Sequence, residues 1–121
     1  MAEEIVREYF DALNKRDYPR LKTLLTDDYT VHQDGKDKVG WQATIEDALK
    51  KYLEYNPVTF QITKLEVDGD IVTVSILGEG PEETTKPDQF TDKYRVIDGK
   101  ISENWIDPYD CGVEPAQIKK S

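Results

Sequence analysis

The chain has 121 residues, and its 25 Asp and Glu against 16 Lys and Arg give it a formal net charge of -9. This length is enough for one domain with its own core and too short for two of ordinary size, so we expect a single domain over residues 1–121. The negative charge repels phosphate backbones and anionic lipids, which argues against nucleic-acid and membrane partners. Hydrophobic residues make up only 37%, which indicates a partly polar cavity or a core completed by a partner.

The N-terminus and the rare residue types indicate compartment and chemistry. The chain opens with Met1 to Glu4, without a basic segment or an apolar signal core, so we expect a cytoplasmic protein. The one cysteine, Cys111, cannot form an internal disulfide, and it lies far along the chain from the one histidine, His32. Because this spacing matches no familiar set of metal ligands, we expect no zinc site.

Two helices are predicted at the start of the chain. From Glu3 to about Lys15, apolar residues recur at three- and four-residue spacing, so they share one face of a helix. Asp17 is a good N-cap and Pro19 suits a first turn, so a brief second helix follows and ends near Thr26. The apolar stripe of the first helix consists of Ile5, Val6, Tyr9, Phe10 and Leu13.

A short strand and a third helix come next. Tyr29 to Gln33 is rich in residues that favour β-structure, and the polar run from Asp34 to Asp37 predicts a turn leading into a loop. After Gly40, apolar residues recur at helical spacing until the helix stops before Pro57, because the residue before a proline disfavours helical backbone. The stripe of this helix consists of Trp41, Ile45, Ala48, Leu49, Tyr52 and Leu53.

The second half of the chain alternates apolar and polar residues, which predicts β-sheet. Asp68-Gly69-Asp70 and Asp98-Gly99 are both strong hairpin signals, so we expect antiparallel neighbours. The segment from Gly80 to Asp88 is predicted as a loop, and the tail after residue 107 has no clear period. The four predicted strands run from Val58 toward Val67, from Ile71 to Glu79, from Gln89 to Ile97 and from Lys100 to Asp107.

Two stretches resemble a known superfamily. The run EYFDALNKRD at residues 8–17, followed by LLTDDYTV at 24–31, resembles the start of SnoaL-like proteins and ketosteroid isomerases. The run YRVIDGKISENW at 94–105 is similar to the closing hairpin of the same superfamily. Together with Gly40 and the turn at 68–70, the resemblance covers residues 3 to about 107 and leaves a tail at 108–121.

This resemblance implies a nuclear transport factor 2-like, or cystatin-like, fold. In that α+β cone, three N-terminal helices pack on a curved, mostly antiparallel β-sheet and enclose a pocket for a small molecule. The resemblance also implies a homodimer joined through the outer faces of the sheets. Because function varies widely across the superfamily, the fold alone barely constrains the activity. One hypothesis for the tail is that it folds over the mouth of the cavity.

The resemblance to ketosteroid isomerases implies roles for three residues. Tyr9 lies where that family keeps the tyrosine of its oxyanion hole, and Asp92 lies where it keeps a protonated aspartic acid that donates a second hydrogen bond. Gln33 lies where the family has its catalytic aspartate. An amide cannot take a proton from carbon at neutral pH, so this departure removes the family's base.

The resemblance to SnoaL-like proteins implies other candidates for the base. The run from Tyr29 to Asp34 is similar to a Tyr-x-x-His-Asn-Pro run in those proteins, so His32 and Gln33 replace the carboxylate. Members of that group also often carry Trp-Asp near the end of the last strand, with an aspartate used for proton transfer. Here Ile106 follows the tryptophan and Asp107 is displaced by one position, which reverses the face of a regular strand, so Asp107 recovers that role only if a bulge intervenes.

Without the resemblance, these residues allow plainer interpretations. Tyr9 lies on the apolar stripe of a helix, where an aromatic ring often serves the core alone. Asp92 lies at the start of a strand just after a loop, where solvated carboxylates are common. His32 titrates near neutrality and so suits acid-base catalysis, yet strand alternation points it away from Gln33. A role in the pocket and a structural role both stay open for each of them.

The remaining candidates are predicted to contact a ligand. Trp41 and Tyr52 suit the mouth of the cavity, although such aromatics also serve cores and interfaces. On the last strand, Asn104 and Ser102 alternate with residues 103 and 105, and the sequence does not decide which pair faces the cavity. The predicted catalytic residues are Tyr9, His32 and Asp92, and the predicted ligand contacts are Gln33, Trp41, Tyr52, Asn104 and Asp107.

Two functional hypotheses from different classes follow. In the first, the chain is an enzyme that isomerises, cyclises or dehydrates a small, mostly apolar carbonyl compound through an enolate. Tyr9 and Asp92 polarise the carbonyl oxygen, His32 or Asp107 moves the proton, and no metal or organic cofactor is needed. In the second, the chain is a non-catalytic ligand-binding or protein-interaction module, which Gln33 favours. An ionisable group with a shifted pKa beside Tyr9 in the pocket would favour the enzyme.

Overall fold

The computed structural model describes residues 2–33, 35–55, 57–80 and 88–106, in which helices pack against one face of a six-stranded sheet. Among these residues, no helix is both long and apolar enough to cross a membrane. In chain order the elements are α1 (Ala2–Asn14), α2 (Tyr18–Thr23), β1 (Leu25–Gln33), β2 (Lys36–Val39), a π-helix (Gln42–Leu49), α3 (Lys50–Tyr55), β3 (Thr59–Asp68), β4 (Ile71–Glu79), β5 (Asp88–Ile97) and β6 (Lys100–Ile106).

The sheet is curved and mixed, with the strand order β2-β1-β6-β5-β4-β3. β1 and β6 pair in parallel, and every other neighbouring pair is antiparallel. The turn between β5 and β6 has both central residues at positive φ, Asp98 at 53° and Gly99 at 78°, which fits the tight hairpin that the Asp-Gly pair predicts. The parallel pair brings β1, from the first third of the chain, beside β6, the last described strand.

The first helix packs inward along the stripe that its spacing predicts. Val6, Tyr9, Phe10, Ala12 and Leu13 are buried, and the helix lies against β3, β4, β5 and β6. Burying the Val6, Phe10 and Leu13 side chains stabilises the fold by about 1.5–3 kcal/mol each. The inner face of the sheet, the one that faces α1, therefore forms the core.

The second helix ends earlier than predicted. Asp17 caps it by accepting a hydrogen bond from the backbone N–H of Arg20 at 3.2 Å, but the helix ends at Thr23 instead of near Thr26. The reason is tertiary: the backbone N–H of Ile101 donates to the carbonyl of Leu24 at 2.8 Å, and Leu25 already pairs with β6. The backbone of Leu24 and Leu25 thus bonds with β6 instead of extending the helix.

Two other regions differ from the expectation. β2 was predicted as part of a turn and loop, because its residues, Lys36–Val39, are polar except for the last and all are exposed. It exists because its backbone pairs with β1. After Gly40 the chain forms the π-helix and then α3, so a count of three helices is not established. The helical region nevertheless ends at Tyr55, before Pro57, as predicted.

A β-bulge decides which side chains of β6 face inward. The pairing of β5 with β6 shifts between Arg95 and Val96, and Ser102 occupies the extra position on β6. Ile101 and Asn104 are both buried although they are three residues apart, which a regular strand does not allow. As a result, Asn104 lies on the inner face and its neighbour Trp105 on the outer one.

Candidate functional site

A cavity of about 350 Å³ lies between the inner face of the sheet and the helices. Its wall is mostly apolar and is built by α1, the π-helix, α3 and every strand except β4. An apolar cavity with polar groups at particular points is the usual composition of a small-molecule site. The polar side chains in the wall are Tyr9, Tyr29, Gln33, Lys38, Thr44, Tyr52, Asp92, Tyr94 and Asn104.

The inner end of the cavity holds a buried carboxyl group among three tyrosines. Asp92 is 6% exposed, and Tyr9, Tyr29 and Tyr94 are still less exposed. The hydroxyl of Tyr94 donates to Oδ2 of Asp92 at 3.2 Å, and the ring centroids of Tyr9 and Tyr94 are 5.4 Å apart. We call Tyr9, Tyr29, Tyr94 and Asp92 the tyrosine cluster.

Burial raises the pKa of the three hydroxyls above a usual value that is already high. Desolvation is the main reason why the pKa of Tyr9 is raised. Desolvation likewise raises the pKa of Tyr29 and of Tyr94. Because a protonated phenol donates a hydrogen bond, the cluster presents donors to an oxygen atom that enters this end of the cavity.

Local sequence patterns explain how the cluster forms. Tyr9 lies on the buried stripe of α1, whereas Asp92 and Tyr94 are two residues apart on β5 and so share its inner face. Tyr29 reaches the same face from β1, where the pairing with β6 is irregular between Leu25 and Thr30. Sequence reasoning selected Tyr9 and Asp92 but missed the other two. The two-residue spacing from Asp92 was a usable signal for Tyr94.

Three of the predicted ligand contacts lie elsewhere in the same wall, and a fourth lies outside the described residues. Gln33 lines the cavity, as its facing predicts, and Tyr52 lines it from α3. Asn104 also lines it and is buried, with its amide nitrogen donating to the carbonyl of Lys93 at 3.1 Å. Asp107 lies outside the described residues.

The structure places His32 away from the cavity. It lies on the outer face of β1, where Nδ1 is 2.7 Å from Oδ1 of Asp37 and Nε2 is 2.9 Å from Oε2 of Glu103. Its ring stacks on Trp105 with centroids 5.2 Å apart. The reason is strand alternation: Val31 and Gln33 face inward, so the residue between them cannot. His32 therefore does not contact a ligand in this cavity.

Trp41 is also outside the wall of the cavity. Its indole N–H donates to Oε2 of Glu46 at 3.1 Å, and the ammonium of Lys22 lies 5.4 Å from the centre of its ring. Trp41 directly precedes the π-helix, so it starts the predicted helical stripe without reaching the cavity. These contacts explain its position as packing around the start of that helix.

The histidine belongs to a network of charges on the outer face. Partial burial lowers the pKa of His32, but the hydrogen bonds to Glu103 and Asp37 outweigh it and raise that pKa. Glu103 also accepts from Nε of Arg95 at 2.7 Å, and Arg95 donates to Asp70 at 2.9 Å. The carboxylates of Glu103 and Asp37 contact different nitrogens of the His32 ring, so they do not converge on one point. In the part of the chain that the structure describes, no group of three or more His, Cys, Asp or Glu side chains is arranged to hold a metal ion.

Comparisons with known proteins give the family and the fold. The family model of the SnoaL-like domain matches residues 6–104. The fold is similar to that of SMa1630 from Sinorhizobium meliloti, provisionally named a polyketide cyclase, with a TM-score of 0.76, 25% identity and coverage of 86% of this chain and 94% of that one. No curated protein sequence matches this chain.

Two further solved structures share the fold at lower identity. IdmH from Streptomyces antibioticus, also provisionally named a polyketide cyclase, has a TM-score of 0.71 and 20% identity over 87% of this chain and 89% of its own. A protein from Kribbella flavida, provisionally named a ketosteroid isomerase, has a TM-score of 0.70 and 23% identity over 97% of this chain and 92% of its own. At these identities the likeness concerns the fold.

Proposed function

This chain belongs to the SnoaL-like domain family, and we propose that it binds a small, mostly apolar carbonyl compound and acts on it as an isomerase or cyclase through an enolate. One observation carries the proposal: the tyrosine cluster closes the inner end of an otherwise largely apolar cavity. In this proposal the carbonyl oxygen of the ligand accepts hydrogen bonds there from Tyr9 and from the carboxyl group of Asp92, which requires Asp92 to be in its protonated form.

The proposed chemistry follows from where negative charge develops. When a proton leaves the carbon next to a carbonyl group, the charge moves to the oxygen atom. Donors that already point at that oxygen in a water-poor site stabilise the enolate more than the ketone. Removing one such donor raises the barrier by about 2–4 kcal/mol in comparable sites.

The proton acceptor is the incomplete part of this proposal. Gln33 lies in the wall at the position where the resemblance implies a base, and His32 faces the other way with both nitrogens engaged. Asp92 is the one carboxyl group in the described wall, and its proposed role is that of a donor. Asp107, outside the described residues, therefore stays the sequence-based candidate for the acceptor.

The same observation favours a second candidate function, a ligand-binding protein without catalysis. The cavity and the tyrosine cluster suffice to hold a carbonyl oxygen, whereas Gln33 supplies no acid-base chemistry. Under this proposal the protein binds the compound without moving a proton.

Hydrogen exchange distinguishes the two candidates. The protein is mixed in D2O with a panel of cyclic ketones, and NMR follows exchange of the hydrogens next to the carbonyl. In the same buffer, fluorescence measures the binding of 2-naphthol, whose phenolic oxygen mimics an enolate. Tyr9→Phe and Asp92→Leu remove the two proposed donors, and Tyr55→Phe and Asp27→Leu are matched controls, since both residues are exposed and outside the cavity wall.

Each result has a defined meaning. An enzyme accelerates exchange, and Tyr9→Phe slows that exchange by about 30-fold or more, while the controls do not. A binding protein leaves exchange at the buffer rate, yet its affinity for 2-naphthol falls by about tenfold in Tyr9→Phe. If Tyr9→Phe and Asp92→Leu change neither exchange nor affinity, the carbonyl site is contradicted.

A further inference from the structure

The cavity wall has opposite chemical character at its two ends. The inner end is the buried tyrosine cluster. The mouth includes Lys38, an exposed residue of the edge strand β2, and Lys38 is the one Lys or Arg among the described residues of the wall. No ion pair within 4.0 Å joins Lys38 to another described residue, in contrast to Lys15 and Lys50.

The register of the sheet gives the separation of the two ends. Lys38 pairs with Val31, Val31 pairs with Asn104, and Asn104 pairs with Tyr94. These three steps across neighbouring strands, at about 4.8 Å a step, give a path of about 14 Å along the curved sheet, which is the upper limit of the distance between the α-carbons of Lys38 and Tyr94. Both side chains line the cavity, so a ligand of two fused rings can lie between them.

Charge explains why a lysine that forms no ion pair with another described residue is informative at this place. The chain as a whole carries a net charge of -9, so its mean field disfavours an anionic ligand. A lysine at the mouth offsets that repulsion locally, because its aliphatic stem covers apolar wall while its ammonium group reaches an anionic substituent. A neutral ligand cannot form this ion pair with the ammonium group.

We propose that Lys38 forms an anion-binding subsite, so that the ligand is a carbonyl compound with a carboxylate at the end opposite its carbonyl group. This inference rests on the proposed function, because it assumes that the oxygen of the ligand lies at the tyrosine cluster. The carboxylate at the mouth then fixes which way round the compound enters the cavity. Lys38 is a specificity determinant and takes no part in moving a proton.

A pair of probes of nearly the same shape tests the subsite. 6-Hydroxy-2-naphthoic acid and its methyl ester both carry a phenolic oxygen for the tyrosine cluster, but only the acid carries a charge at the other end. Their affinities are measured by fluorescence titration for the full chain at 50 mM and 500 mM NaCl. Lys38→Gln removes the charge and Lys38→Arg keeps it. Lys36→Gln is the matched control, since Lys36 is an exposed residue of the same strand that does not line the cavity.

The expected result is that the acid binds about two- to fivefold more tightly than the ester at 50 mM NaCl, as an ion pair with an exposed lysine allows, and less so at 500 mM. Lys38→Gln removes this preference, while Lys38→Arg and Lys36→Gln retain it. Thermal unfolding verifies that each variant is folded.

Failure of the subsite and failure of the proposed function give different results. Equal affinity of acid and ester in the unmodified chain, with both weakened by Tyr9→Phe, overturns the subsite and leaves the carbonyl site standing. A preference for the acid that Lys36→Gln abolishes as strongly as Lys38→Gln also overturns the subsite. A preference that depends on Lys38 while neither probe responds to Tyr9→Phe supports the subsite and overturns the proposed carbonyl site.

Discussion

Ionisable groups on the two faces of the sheet lie in different environments: those of the tyrosine cluster are buried on the inner face, and those around His32 are paired with opposite charges on the outer face. On the inner face, Asp92 is buried against tyrosine hydroxyls whose pKa is raised by desolvation. On the outer face, His32 and Glu103 are partly exposed and bound to groups of opposite charge. Adjacent residues of β1 therefore lie in different environments, since Gln33 lines the cavity and His32 belongs to the charge network of the outer face. Strand alternation, more than residue type, decides which group can do chemistry on a ligand.

The largest expected difference between the faces is in stability. Tyr94→Ala removes a fully buried ring that packs on Tyr9 and Phe10, so we expect the free energy of unfolding to fall by about 3–5 kcal/mol. Trp105→Ala removes a larger ring from the outer face, where it is only partly buried, and should cost less. Urea denaturation measures both. An equal or larger loss for Trp105→Ala would mean that the outer face is part of a buried interface.

A milder change isolates the hydroxyl group of the inner face. Tyr94→Phe keeps the ring and removes the hydrogen bond to Asp92, so we expect a loss of about 1 kcal/mol in the free energy of unfolding. The affinity for 2-naphthol should also fall, because the carboxyl group of Asp92 is then less well oriented. Tyr18→Phe, on a residue outside the cavity wall, is the control. Unchanged affinity in Tyr94→Phe would remove this tyrosine from the site.

The smallest expected effect concerns the outer face and depends on pH. Hydrogen bonds to Glu103 and Asp37 raise the pKa of His32 against the opposing effect of partial burial. A raised pKa means that the stabilisation is fully present below the unfolded value of about 6.5 and is lost as pH rises through the folded value. His32→Gln should therefore cost up to about 1 kcal/mol at pH 5.5 and less at pH 8.5.

Urea denaturation of the histidine variant at the two pH values tests this sign. Thr30→Val, on the outer face of the same strand, is the control and should shift the stability equally at both. A cost for His32→Gln that is larger at pH 8.5 than at pH 5.5 would contradict the arrangement of charges on the outer face.

Periodicity predicted the elements that bury side chains. The stripe of α1 and the alternation of β4 follow the sequence closely, because burial imposes the period of the element. β2 was missed, since an exposed polar edge strand has no alternation to detect. The early end of α2 was missed as well, because the pairing of Leu25 with Ile101 depends on residues far apart in the sequence.

Resemblance and alternation predicted the candidate site in part. Tyr9, Asp92 and Gln33 were placed in a pocket, and all three line the cavity. The inward facing of Asn104 could not be decided, because it depends on the β-bulge beside Ser102. Lys38 was missed because its strand was missed. The homodimer and the roles of these residues stay predictions.

A crystal structure of the protein with bound 2-naphthol tests the central claim most directly. The account predicts that the oxygen atom of the ligand lies within hydrogen-bonding distance of both Tyr9 and Asp92, with the rings along the apolar wall toward the mouth. A naphthol that binds with its oxygen at the mouth or on the outer face, with the tyrosine cluster unliganded, would contradict it.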